Sequence, residues 1–276
     1  MRLSVIMSVC NPIWEQLLEA VDSVLNQSFT GFEFLIYDDG SKPETARLLA
    51  ELEARDRRIR CIRGEKNRGL AYGLNRCVRE AAGEYLARMD DDDLSLPQRF
   101  ARQIAFLDAH RDYGFVGCGA RIAGDGEILG VRHMPERPGR RDFLKFSPYI
   151  HPSVMFRREV FLKYGGYDPS PAFLRCEDYE FFLRLHQAGC HGYNLQEVLF
   201  QYREDARSLR KRKFCFRRKE ARLRWERFGM MGISGFRRFF YTLRPLAAGV
   251  CPPGVYGRFK RLSLARSRRK ETHEAV

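Results

Sequence analysis

Short apolar runs alternate with helically spaced apolar stripes through the first hundred residues, and each run breaks off at polar side chains. Leu3 to Val9 (LSVIMSV), Phe32 to Tyr37, Arg60 to Arg63 and Tyr85 to Met89 have strand length. Between them lie the stripe Trp14, Leu17, Leu18, Val21, Val24 and Leu25, a helix around Glu44 to Asp56, and another over Leu70 to Ala81. Asn11-Pro12 reads as a helix start, with Asn as cap and Pro in the first turn. Strands that alternate with helices through short links predict an α/β fold with a mostly parallel sheet and right-handed crossovers. Ligands of such sheets bind beyond the carboxyl ends of the strands. Ser8 to Asn11, Asp38 to Ser41 and Asp90 to Asp93 all fall at that edge, so three polar strand ends face one crevice.

The last of these is the most demanding. Asp90, Asp91, Asp92 and Asp93 follow the Tyr85 strand without a break. Adjacent like charges repel, and a cation or hydrogen-bond donors must neutralise them. Carboxylates at a strand end suit Mg²⁺ or Mn²⁺, hard ions that share oxygen ligands with phosphates. The plainer alternative is that the acids cap the following helix, although Ser95 before Pro97 could cap it alone.

Further along, Phe100, Ile104 and Leu107 give the next helix an apolar face, and Gly114 to Gly130 reads as a strand pair turning at Gly124 to Gly126. Gly117-Cys-Gly119 opens like a dinucleotide fingerprint, but Ile122 stands where its third glycine belongs. His151 to Phe156 reads as a strand, Cys176-Glu177-Asp178 opens an apolar helix, and two short strands follow around His191 to Leu195 and Val198 to Tyr202.

Composition then excludes whole classes. No apolar run in the 276 residues reaches the roughly 20 that a membrane-spanning helix needs, and the start lacks a signal-peptide layout. The eight cysteines are scattered singly, which predicts reduced thiols in a cytoplasmic protein. The net charge of +14 is lopsided: Gln201 to Val276 hold 22 Lys and Arg against 6 Asp and Glu, leaving a near-neutral body and a basic tail.

Seven motifs in order carry a resemblance. They are Ser4 to Asn11, Asp38-Asp-Gly-Ser41, Asn67-Arg-Gly69, Ala87 to Asp93, His151 to Arg157, Gly165-Gly-Tyr-Asp168 and Glu177-Asp178. Together they resemble the family 2 inverting glycosyltransferases of GT-A fold, over roughly residues 1 to 205, with 206 to 276 as a basic helical extension. The resemblance implies a nucleotide-sugar donor, a UDP-sugar first, held near Ser8, Asp38, Asp39, Arg68, Arg88 and Asp90. It implies Mn²⁺ or Mg²⁺ on Asp92, with Asp90 reaching the metal or the ribose; Asp91 stands where the family usually has a small residue, and Asp93 is a further candidate ligand. It assigns Asp178 as the base for the acceptor hydroxyl, with Glu177 beside it, and implies a glycan or lipid-linked glycan acceptor in cell-surface polysaccharide synthesis. His151 ranks lower, as a residue of structural type. Where the family places a histidine after Tyr202-Arg203, Asp205 stands here, and Arg203, Arg207 or Arg210 could supply the positive charge. A nucleotidyltransferase also uses strand-end acids and Mg²⁺, but its basic glycine-rich loop is missing from Ser8 to Asn11. An inactive basic protein that binds membrane or nucleic acid is the rival outside enzymes.

The tail carries two aromatic stripes, Phe214, Ala221, Trp225 and Phe228, then Phe236, Phe239, Phe240, Leu243 and Leu246. Both suit either packing on the body or lying in a membrane interface with basic groups on anionic lipid. The second choice places the protein peripherally at the inner face of the cell membrane. Nucleic acid is a poor fit as partner, for no recognition motif accompanies the charge.

Overall fold

A computed structural model describes residues 1–124, 126–204 and 214–250. The expected alternation is present: β1 (Leu3–Val9), α1 (Trp14–Leu25), β2 (Phe32–Asp38), α2 (Pro43–Arg55), β3 (Ile59–Arg63), α3 (Leu70–Glu80) and β4 (Tyr85–Arg88). There follow β5 (Leu94–Ser95), α4 (Arg99–Ala109), β6 (Phe115–Gly124), β7 (Glu127–Arg132), β8 (Met155–Arg157), α5 (Arg158–Tyr164), α6 (Glu177–Gln187) and β9 (Gly192–Arg203). Two further helices are α7 (Phe214–Met230) and α8 (Gly235–Val250).

Among the described residues the strands form one sheet in the order β3-β2-β1-β4-β8-β6-β9-β5, with β7 on β6. The four N-terminal strands pair in parallel, whereas β8 runs antiparallel to both β4 and β6. Chain order reverses between β1 and β4, so the crevice beyond their carboxyl ends lies at the switch point where such sheets hold ligands. One face of the sheet buries Leu17, Val21, Leu49, Phe100 and Ile104, and the other Leu74, Phe156, Phe181 and Phe182. Leu223, Phe228 and Ile233 sit in that second cluster, so α7 packs into the body. No helix among the described residues is long and apolar enough to cross a membrane.

Several local expectations need correcting. Asn11 does not cap α1, which begins at Trp14; it takes φ +48° and its carboxamide oxygen accepts from Lys42 N at 2.9 Å, tying the end of β1 to the loop after β2. The four aspartates do not cap α4 either, nor does Ser95, a buried strand residue; α4 starts at Arg99 without a side-chain cap. His151 to Ser153 is a turn of 3₁₀ helix, and only Met155–Arg157 is strand, because His151 precedes Pro152, which can give no ladder hydrogen bond. The two strands expected after Gly189 are one, β9, which takes up the interruption as a register shift against Cys118 to Ala120.

Candidate active site

Backbone hydrogen bonds fix the crevice. Asp38 accepts from Ser41 N at 2.9 Å, a turn in which Gly40 takes φ +67° and a Cβ would lie 2.5 Å from the Lys66 backbone. Asp39 is buried, and its two oxygens accept from Arg68 N and Gly69 N at 2.8 and 2.7 Å. It therefore holds the Asn67-Arg-Gly69 loop against the end of β2. Arg68 itself is exposed, with its guanidinium 4.7 Å from the centre of the Tyr72 ring. Ser8 lies half-buried behind Gly73, where a Cβ would come within 2.1 Å of its hydroxyl; only glycine lets α3 pack this close.

The acid cluster leaves the end of β4. Asp90, Asp92 and Asp93 each present an oxygen within 4.8 Å of the others. Asp93 is buried; one oxygen accepts from Arg203 N at 2.7 Å, and the other has no hydrogen-bond partner among the described residues. Burial and the charges of Asp90 and Asp92 hold the Asp93 carboxyl well above the usual range, and the same causes push Asp91 up to about 7. Three converging carboxylates, one with an orphaned buried oxygen, fit a divalent cation with oxygen ligands. Arg88 lies beneath them, almost wholly buried, with Nη2 2.5 Å from an Asp90 oxygen. Its Nε and Nη1 have no partner among the described residues, an unspent donor pair next to the acids.

Glu177 and Asp178 open α6 but line different cavities. Glu177, with one buried oxygen unpartnered among the described residues, faces a cavity of about 240 Å³ shared with Arg68, Gly69, Asp168 and Phe173. Asp178 lines another of about 320 Å³ between α6, α7 and α8. Burial first, and the Glu177 charge second, push the Asp178 carboxyl up to about 6, with Arg88 opposing. Arg88, paired with Asp90, is also among the charges that act on Asp178. His151 is buried, bonded through Nε2 to the Tyr167 hydroxyl at 2.8 Å and kept neutral by burial and Arg88. Arg203 is half-buried, with its guanidinium 2.5 Å from Glu19. Asp205, Arg207 and Arg210 lie outside the described residues.

Residues 4–165 match the model of the family described as "Glycosyl transferase family 2". The chain belongs to that family. It is 33% identical over 259 residues to a protein named as a glycosyltransferase, EpsE of Bacillus subtilis strain 168, covering 94% of this chain and 92% of that one. It is 32% identical over 197 residues to the O-antigen biosynthesis glycosyltransferase WbnJ of Escherichia coli, covering 70% and 76%. Among solved structures, S. aureus TarS 1–349 in complex with UDP-GlcNAc shares the fold, with a TM-score of 0.64 at 18% identity, covering 91% of this chain and 72% of that one.

Some residues of this glycosyltransferase were missed in the sequence. Arg99 and Gln103 lie fully buried in the α4 stripe. Arg99 donates to the Arg88 carbonyl at 2.8 Å, and Gln103 to those of Val116 and Ser153 at 3.1 and 2.7 Å. Their signal was present: Arg99, Gln103 and Leu107 share one helical face, so two polar groups had to be satisfied inside the core. Arg175, Arg217, Glu220 and Arg244, which line a cavity with Asp178, carried no local signal, and Arg224 offered only a partial match of Ala221 to Trp225 to the Q-x-x-R-W of processive synthases.

Proposed function

We propose that this family 2 enzyme transfers a sugar from a nucleotide-sugar donor to an acceptor hydroxyl with inversion, in the synthesis of a cell-surface polysaccharide. The observation that carries the reading is the convergence of Asp90, Asp92 and Asp93 at the end of β4 above the buried Arg88, one of them with a buried oxygen that has no partner among the described residues. Asp92 and Asp90, with Asp93, would hold Mn²⁺ or Mg²⁺, which when bound supplies positive charge to the donor diphosphate. The buried Arg88 pairs with Asp90 and so fixes one of those carboxylates. Asp39 shapes the nucleotide side by holding the Arg68 loop, and Asp38 holds the turn beside it; Ser8 and Arg68 line the same side. Asp178 takes the acceptor proton as the acceptor oxygen bonds to the anomeric carbon and the sugar–phosphate bond breaks, releasing the nucleoside diphosphate. A carboxyl near 6 is mostly ionised at neutral pH and still basic enough to accept a proton. The name of WbnJ supports the polysaccharide assignment. A panel of UDP-, GDP- and dTDP-sugars incubated with Mn²⁺ tests the reading. Slow metal-dependent hydrolysis of one donor is expected; no turnover or binding of any would sink it.

The enzyme also sits on the inner membrane surface, a reading supported by α8. Its Phe236, Phe239, Phe240 and Leu243 are between 40% and 78% exposed, on a helix that also bears Arg237, Arg238 and Arg244. Aromatics with flanking cations suit an anionic bilayer. Cosedimentation with vesicles containing anionic lipid, reversed by salt, is the expected result; indifference to such vesicles would leave the face to another partner.

A further inference from the structure

The turn that carries the four aspartates is fastened from its buried side. It leaves β4 at Arg88 and re-enters the sheet at β5. At the entry, Arg99 of α4 donates from Nη2 to the Arg88 carbonyl at 2.8 Å. At the exit, Gln27 donates from Nε2 to the carbonyls of Ser95 and Leu96 at 3.0 and 2.8 Å, and its Oε1 accepts from Phe100 N at 3.1 Å. Arg99 also reaches the exit, with Nη1 3.5 Å from the Ser95 hydroxyl. Both side chains are buried, Arg99 completely. Gln103 accepts from the Arg99 Nε at 3.1 Å and is itself tied to the Val116 and Ser153 carbonyls, so the guanidinium has a fixed direction. The guanidinium carbon lies 5.4 and 5.0 Å from the centres of the Phe100 and Phe200 rings.

Among the described residues, the hydrogen-bond partners of this guanidinium are neutral: a carboxamide, a hydroxyl, a thioether and a main-chain carbonyl. A buried cation without a carboxylate partner is costly, and a helix that needed only packing would carry an apolar residue there. The acid turn has a matching need. Adjacent carboxylates repel and push the turn open, whereas a metal needs several of their oxygens close together. A charged donor on a buried carbonyl is stronger than a neutral one, which suits it to hold such a turn closed. The geometry points to Arg99 as a positioning residue: fastened to Arg88 and Ser95, with Gln27 at the exit, it holds the turn in the path on which Asp90, Asp92 and Asp93 converge. The inference rests on the metal part of the transferase reading above and deepens it, since Arg99 acts through the main chain. Its sign is distinctive. On charge alone, removing a cation beneath four acids would tighten metal binding; loss of a clamp loosens it.

Titration of the full chain with Mn²⁺, alone and with UDP or GDP, tests this without turnover, read from the paramagnetic resonance signal of the free ion. Arg99→Met should weaken Mn²⁺ binding by about 10–100-fold, the range typical when a group behind a metal ligand is lost. Arg99→Lys keeps the charge but loses the fork, and should lie between that variant and wild type. Gln27→Met changes no charge and frees the exit carbonyls; weaker binding is expected there too, and unchanged binding would remove Gln27 from the clamp. Leu107→Ala, at a fully buried position of the same helix, controls for loosened packing and should bind like wild type. Each variant is titrated well below its unfolding midpoint. Unchanged or tighter binding in Arg99→Met overturns the inference, as does equal weakening in Leu107→Ala. Should Arg99→Met fail to fold, weakened binding in Arg99→Lys decides for the inference and wild-type affinity against it. No Mn²⁺ binding by wild type under any condition sinks the metal reading and the inference with it, whereas wild-type binding that Arg99→Met leaves intact sinks the inference alone.

Discussion

The two sides of the site are built differently. At the strand ends, carboxylates are held by main-chain amides: Ser41 on Asp38, Arg68 and Gly69 on Asp39, Arg203 on Asp93. Around Asp178, long cationic side chains converge from Lys145, Arg175, α7 and α8. Short side chains on a rigid sheet keep their geometry to within a bond rotation. Long ones from separate elements are placed only when all those elements have packed. The first construction holds several oxygens in a fixed arrangement; the second gathers charge whose position depends on the packing of several elements.

Substitutions should separate the two. Asp178→Asn keeps shape but loses the base, so transfer should fall by about 10²–10⁴-fold while Mn²⁺-dependent donor binding is unchanged. Transfer within a few-fold of wild type would move the role to another group. Asp92→Ala should reduce transfer by about 10²–10³-fold and abolish metal-dependent donor binding, the electrostatic scale typical of charge stabilisation at a leaving group. Intact metal-dependent nucleotide binding by calorimetry would remove Asp92 from the ligand set.

Phe228→Ala asks whether α7 belongs to the body. The ring is fully buried, and its loss should cost about 3–5 kcal/mol in urea unfolding. A cost below 1 kcal/mol would show α7 to be an appendage. For pH, the Asp178 carboxyl is raised to about 6 by burial and Glu177, so its ionised form works against folding. That cost is absent below the ordinary carboxylate range near 4 and fully present above about 6. Asp178→Asn should thus melt higher than wild type at pH 7–8 and equal to it near pH 4. Wild-type transfer should fall as pH drops through 6, and a flat profile down to pH 5 would contradict the assignment. The smallest effect is expected at Phe240→Ser, on an exposed ring, with stability changed by no more than about 0.5 kcal/mol. Anionic-vesicle binding should nevertheless weaken, and unchanged cosedimentation would argue against α8 as the contact.

The same contrast explains what could be read from the residues alone. Strand ends are local: an apolar run that stops at Asp38 or Asp90 announces both the element and where its acids point. The order of strands around β8 was not legible, because antiparallel return depends on partners that lie far off in sequence, as with Tyr85 opposite Arg157. The first tail stripe was half right. Ala221 and Phe228 are buried, but Leu223 and Arg224 join them, while Trp225 turns outward beneath the Arg238 guanidinium, 4.1 Å from its ring. Aromatic spacing favoured the tryptophan; tertiary packing chose the arginine, because Leu144 and Glu220 were there to satisfy it.

The amide of Arg203 ends on Asp93, at the point where the chain leaves the sheet on its way to α7. In evolutionary terms this is a seam. Everything before it can keep its register while the sequence after it drifts. The drift is limited to helices that still offer the equivalents of Leu223, Arg224 and Phe228 to the same sockets. A chain with such a seam can vary its C-terminal helices without disturbing the strands that carry the clustered acids.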